Sequence, residues 1–376
     1  MRRPATAGRS ARSTSHRHPT AASTTTPPNP CPRIPEPVMI PSLRGQLDLV
    51  RPHLVPRICS EADFRAVQDL GDELPVVATS GFEYAMKGPR RGVDLSIAFR
   101  RPQPAGRYLA SDDGVGTRVR ALLAAAADPG SKLYDAFGVY WLEFDTSVGE
   151  RRPSLFAGPR AAEPSDVIIR ASEIVLDAPL APVVRRAVAR WSAPRSGVKL
   201  FQAGWMLGRP RPGLRLCFCT AEAETMQALI AEMTSGEQRD LLVDACRRYA
   251  DLTSEIALAV DVGEGEIAPR VGLELGFRGW KPEQSLPRWG DLLDRLVAED
   301  LCSRSDCRAL LSWPGRMNEQ SAAGAWPVHL RGAGTLLGPY RAHIDRALNH
   351  VKLVAQQGVV TDAKAYLVVL QTWARA

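Results

Sequence analysis

Two carboxylates, Glu143 and Asp145, stand two residues apart in Tyr140-Trp141-Leu142-Glu143-Phe144-Asp145. Strand alternation puts both side chains on one face, roughly 7 Å apart. Like charges at that spacing raise one pKa, which suits proton transfer or ligand binding unless arginines across the ladder neutralise them. Glu83, in Gly81-Phe82-Glu83-Tyr84, is a single strand carboxylate that could act chemically or simply pair with an arginine. Lysine is scarce, six in the whole chain, so Lys199, Lys352 and Lys364 draw attention as anion-binding groups or as exposed strand residues. Arg100 and Arg215 add cations to the same charged faces. His350 opens the last strand pair, where it could exchange protons or serve as a structural hydrogen-bonder. Trp141, Trp205, Trp280, Trp313 and Trp326 could stack on an aromatic or apolar ligand or fill the core.

Other chemistries find no support in the residues. The seven cysteines form no CxxC pair, Cys217 and Cys219 alternate along one strand, and Cys302 and Cys307 have no histidine nearby. No metal site is expected from them, and an odd count without a signal peptide reads as reduced thiols in a cytoplasmic protein. A glycine-rich nucleotide loop, an HExxH helix, an aspartate-rich metal motif and a GxSxG elbow are all missing, so no cofactor is expected. The net charge of +7 is concentrated in residues 1–38, which hold six arginines and one acid; the rest of the chain carries only +2. A nucleic-acid footprint on the folded part is therefore not expected. No apolar run approaches 18 residues, so no membrane-spanning helix is expected.

These residues need a scaffold, and the sequence repeats one. Residues 1–41 are rich in Ser, Thr, Pro and Arg and are expected to be a disordered tail, with Met39 an alternative start. Residues 42–376 are expected to form one domain. Within it an alternating strand, a turn and a second alternating strand recur five times, at 82–87 with 93–100, 139–145 with 153–157, 198–207 with 214–219, 255–262 with 270–278, and 350–355 with 362–370. Amphipathic helices are expected over 115–126, 179–191, 221–250 and 289–298, with 341–348 helical before the last pair and 312–339 a loop insertion. The first four pairs start 57, 59 and 57 residues apart, which is a structural repeat. Each strand has one apolar and one charged face; helices cover the apolar faces, leaving the charged ones to solvent in an open α+β sheet or to a lumen in a closed one.

This arrangement resembles the PT-barrel of the ABBA aromatic prenyltransferases, and more closely the indole prenyltransferases of the dimethylallyltryptophan synthase type. The fragments that carry the resemblance are Gly81-Phe82-Glu83-Tyr84 with Val93-Asp94-Leu95-Ser96-Ile97-Ala98-Phe99, then Leu142-Glu143-Phe144-Asp145, Gly197-Val198-Lys199-Leu200-Phe201, and Lys364 with Tyr366. The resemblance implies an α+β fold in which ten antiparallel strands close a barrel inside a ring of helices. It implies a metal-independent transferase of secondary metabolism, moving a prenyl group from an isoprenoid diphosphate to an aromatic or peptide acceptor. Glu83 would deprotonate or orient the acceptor, lumen cations (Arg100, Lys199, Arg215, Lys352, Lys364, with Arg278) would hold the diphosphate, and Tyr366 would shield the allyl cation. The sequence departs from the family's repeated Lys-x-Tyr pairs: Ser154 and Phe156 stand in the second strand pair, Phe201 follows Lys199 in the third, and Glu274 and Gly276 stand in the fourth. These departures leave open a barrel that binds an apolar or peptide ligand without chemistry, or one that cyclises or rearranges an isoprenoid.

Overall fold

Alternation of apolar and polar side chains predicts half-buried strands, and among the described residues strands recur from Thr79 to Arg375. The computed structural model describes residues 42–88, 92–100, 114–146, 152–209, 212–263, 266–277, 282–322 and 324–375. The tail expected over 1–41 lies outside them, as do Arg278 and Trp280. The chain enters through helices α1 (Arg44–Val50) and α2 (Glu61–Glu73), the latter started by a capping box in which Ser60 and Asp63 satisfy each other's backbone N–H. Strands β1 (Thr79–Lys87) and β2 (Val93–Phe99) make the first pair, followed by α3 (Gly114–Ala127). Then come β3 (Phe137–Phe144) and β4 (Pro153–Pro159), α4 (Ser165–Leu176) and α5 (Pro182–Ser192), β5 (Lys199–Trp205) and β6 (Leu214–Thr220). Helices α6 (Ala223–Met233) and α7 (Gly236–Tyr249) lead to β7 (Glu255–Val262) and β8 (Ile267–Gly276). Helices α8 (Pro282–Ala298) and α9 (Arg304–Leu311), a short β9 (Gly315–Met317) and α10 (Val328–Leu336) precede β10 (Tyr340–Gln356) and β11 (Val359–Arg375).

The strands are antiparallel neighbours in chain order from β1 to β8; β8 then pairs with β10, β10 with β11, and β11 with β1. That circuit closes a ten-stranded barrel, with β9 added beside the start of β10. Closure abolishes the free edges of the sheet and encloses one of its faces. The enclosed face is the charged one. Leu95, Leu142, Leu216, Leu258, Leu273 and Leu367 point outward and are buried under the helices, joined by Tyr140, Phe218 and Trp205. Residues of the opposite parity along the same strands, including Glu83, Glu143, Arg215, Glu274, Lys352 and Tyr366, take the lumen side.

The segment Arg341–Leu348, expected to be helical, is the first half of the 17-residue strand β10. Its short apolar pattern fits either period; the ladders decide, because Ile344 lies between Gln371 of β11 and Met317 of β9. The expected loop over 312–339 carries β9 and α10. Helices α4 and α9 add to those expected.

One buried carboxylate ties the outer layer to the barrel. Asp306, 1% exposed, accepts from Arg57 (Nε 2.6 Å, Nη2 3.2 Å), from the Tyr84 hydroxyl of β1 at 2.6 Å, and from Ser303 as the capping box of α9. Burial pushes its carboxyl up, but the Arg57, Ser303 and Tyr84 bonds outweigh that and hold it at about 2. The Asp306→Ala variant is expected to lose roughly 2–3 kcal/mol of stability in urea unfolding, the cost of orphaning buried partners. Because the folded pKa lies below the unfolded one, this contribution is present above about pH 4 and lost as pH falls toward 2. The stability gap between wild type and Asp306→Asn should therefore close by about pH 2; a gap that stays constant down to that pH would remove Asp306 as an ionised anchor.

Candidate functional site

The lumen holds a cavity of about 450 Å³, within the range that takes a drug-sized ligand. It is lined by the aromatic side chains Trp141, Phe156, Phe201 and Phe277 and by the polar ones Glu143, Arg215, Glu274, His350, Lys352 and Tyr366. Two glycines shape it. A Cβ at Gly204 would strike the Phe156 ring at 2.4 Å, and one at Gly272 would strike Lys352 Cε at 2.4 Å. The missing side chains let that ring and that lysine lie flat on the wall.

Three ion pairs organise the charged residues of the lumen. Glu83, 6% exposed, accepts from Lys364 Nζ with one oxygen and from the Tyr366 hydroxyl with the other. Register explains the meeting: Tyr366 lies directly across from Glu83, and Lys364 lies across from Ala85, one position along on the same face. Burial raises the Glu83 carboxyl, but Lys364 and Tyr366 overcome it and hold the group ionised, at about 2. The Tyr366 hydroxyl is driven well up, first by burial and then by the Glu83 charge. Lys352 donates to Glu274 at 2.8 Å, and His350 approaches the other Glu274 oxygen at 3.8 Å. Burial again pushes Glu274 up, and Lys352 with His350 brings it to about 2. The His350 ring stacks on Tyr366 with centroids 4.0 Å apart and planes 18° from parallel, so the two pairs form one continuous network. Arg215 grips Asp261 across the ladder through Nε at 2.7 Å and Nη2 at 3.0 Å, and Arg209 adds a third bond at 3.0 Å.

Next to Glu83 the wall becomes acidic. Asp94 faces Glu83 across the first hairpin, and Glu143 stands on β3 across from Ser96 of β2. Burial first, then the charges of Glu83, Asp145 and Glu143, raises Asp94 to about 8. Burial and Glu83 raise Glu143 to about 7, against the pull of Lys364, Lys352 and Arg215. Both carboxyls therefore bind protons near neutral pH.

The sequence candidates divide into two groups. Glu83, Glu143, Arg215, Lys352, Lys364 and Tyr366 come together around the lumen, with His350 and Trp141 beside them. Asp145 follows the end of β3, half-buried. Arg100 and Lys199 stay outside the cavity. Arg100 is exposed beyond the end of β2; Lys199, although register places it across from Cys219, is exposed as the first residue of β5. Trp205, Trp313 and Trp326 are core residues rather than ligand-stacking ones. Asp94, Glu274 and Asp261 gain roles that sequence reasoning does not give them. The usable signal is hairpin symmetry: strands folding back at Gly88 bring Asp94 opposite Glu83, and the long last hairpin brings Lys352 opposite Lys364.

Asp94 gives a stability test of this electrostatic picture. Its folded pKa lies above the unfolded one, so the native state binds the extra proton and stability falls as pH rises from about 4 to about 8. Asp94→Asn can still accept the Thr146 N–H bond that Asp94 Oδ1 takes at 3.2 Å. The variant is expected to match wild type near pH 4 and to exceed it by on the order of 2 kcal/mol at pH 8, since a tenfold difference in proton affinity is worth about 1.4 kcal/mol. Thermal unfolding across that range measures it, and a variant less stable than wild type at pH 8 would mean that Asp94 is ionised and paired.

Among solved structures the chain is similar to AnaPT from Neosartorya fischeri, at 12% identity and a TM-score of 0.49, covering 90% of this chain and 95% of that one. No protein-family model matches the sequence. No curated protein matches it either.

Proposed function

We propose that the barrel is a metal-independent aromatic prenyltransferase, moving a prenyl group from an allylic diphosphate to an electron-rich aromatic acceptor bound in the lumen. The observation that carries this reading is the ionised Glu83, fixed by Lys364 and Tyr366 in a barrel whose cavity is lined by aromatic rings. Transfer passes through positive charge, first on the allyl fragment and then on the acceptor ring. A carboxylate already ionised and already oriented stabilises that charge without reorganising, which is where preorganised electrostatics contributes most. The faces of Trp141, Phe156 and Tyr366 add cation–π stabilisation and keep water from the cation. The diphosphate would meet Lys352 and Arg215, which line the cavity, and Lys364, which stands behind them on Glu83.

A second reading has one observation in its favour. Each of those cations already holds a carboxylate, so a diphosphate must compete with Glu274, Glu83 or Asp261 for its partner. That arrangement also suits a barrel that binds an uncharged ligand, or cyclises or rearranges an isoprenoid.

Calorimetric titration with dimethylallyl, geranyl and farnesyl diphosphates and their thio-analogues, followed by turnover assays with aromatic acceptors, separates the two. The Glu83→Gln variant sharpens the result. Losing the fixed anion should lower turnover by about 100-fold or more. The same change frees Lys364 from its carboxylate, so diphosphate affinity should rise severalfold. Equal turnover in variant and wild type would remove Glu83 from the mechanism. A wild type that binds none of the diphosphates would leave the second reading.

A further inference from the structure

Prenylation of an aromatic carbon has a step that Glu83 is poorly built to perform. The ring carbon forms its bond to the allyl carbon as the C–O bond to the diphosphate breaks and its electron pair leaves with the diphosphate. The ring is then cationic, and it regains aromaticity only when the proton on the alkylated carbon departs to a base. Such a base needs access to the ligand, a free lone pair and a pKa near the working pH. Both Glu83 oxygens are occupied, by Lys364 and by Tyr366, and Glu83 is not among the groups that line the cavity.

Glu143 meets the first two requirements by geometry. It lines the cavity, two residues along β3 from Trp141 and on the same face, so a ring stacked on that indole lies beside its carboxylate. Its register partners are Ser96 on β2 and Ser154 on β4, and among the described residues no ion pair occupies it. The ionisable groups around it are Glu83 on β1, Asp94 on β2, Asp145 after β3, Lys364 on β11, Lys352 on β10 and Arg215 on β6. We infer that Glu143, not Glu83, is the catalytic base that takes the proton from the alkylated ring carbon, Glu83 serving as the fixed anion. The assignment rests on the prenyltransferase reading. Its carboxyl, raised to about 7 by burial and by Glu83, agrees with the third requirement.

The test uses the full chain, dimethylallyl diphosphate as donor, and indole with and without deuterium on its carbons as acceptor. Wild-type kcat/KM should rise with pH through an inflection near 7. Glu143→Gln should lower kcat about 100-fold, leave donor affinity unchanged and abolish that inflection; Glu143→Asp should recover part of the rate together with the inflection. Deprotonation should become rate-limiting in Glu143→Gln, so a primary deuterium isotope effect should appear there and be absent from wild type. Glu83→Gln, in contrast, should lose rate but keep an inflection, moved to lower pH because the Glu83 charge no longer raises Glu143. Wild-type kinetics in Glu143→Gln, or an inflection that survives in it, overturns the assignment while the prenyltransferase reading stands. No turnover by wild type with any allylic diphosphate overturns that reading, and the assignment with it.

Discussion

Everything in the lumen follows from the closure of the sheet. Strand β11 pairs along nearly its whole length with β10 and along its middle with β1, so the charged faces of ten strands are turned away from bulk water. An ionised side chain in such a place is tolerated only if it is paired, or if it gives up its charge. Both outcomes occur. Lys364, Lys352 and Arg215 each hold a carboxylate, and Asp94 and Glu143, left on a wall with too few cations, take up protons near neutral pH instead.

Pairing on this scale fixes more than charge. Because Glu83 and Lys364 come from β1 and β11, the ion pair spans the seam where the barrel closes, between residues 281 apart in sequence. The Lys352–Glu274 pair does the same across the β10–β8 joint, the other junction that skips strand order. Ion pairs at these two junctions select the register as well as the fold, since a shift of one residue would turn each lysine to the apolar outer face. The glycines act on the same surface. With no side chain at Gly272, the stem of Lys352 lies against the wall and its ammonium reaches Glu274.

Local alternation makes the strands legible in the sequence, and the near-equal spacing of the first four pairs makes the repeat legible. The assignment of charged faces to the lumen follows from asking what the helices must cover. The partners of individual charges are not legible, because they depend on contacts between strands far apart in the chain. Glu274 shows the difficulty: set beside a family pattern it looks unsuited to anion binding, yet it is the residue that keeps Lys352 in place. Arg100 and Lys199 show it from the other side. Both have the parity of lumen residues, but strand ends decide their exposure, and a strand end is the feature least fixed by periodicity. The segment 341–348 reads as a helix because eight residues can satisfy either period, and only the ladders on both its sides choose the strand.

The same enclosure divides the carboxylates into two kinds. Where a cation and a hydroxyl converge, as on Glu83, burial strengthens the pair and the group stays ionised across the physiological range. Where the nearest strong field comes from another carboxylate, as for Glu143, the same burial pushes the proton on. A fixed anion and a titratable carboxyl thus stand close together in the wall of one barrel. Groups pushed apart in this way allow one site both to stabilise positive charge and to remove a proton. Neither property belongs to a glutamate alone. Each is shaped by the residue that register sets across from it: Tyr366, with Lys364 alongside, for one, and an uncharged serine for the other.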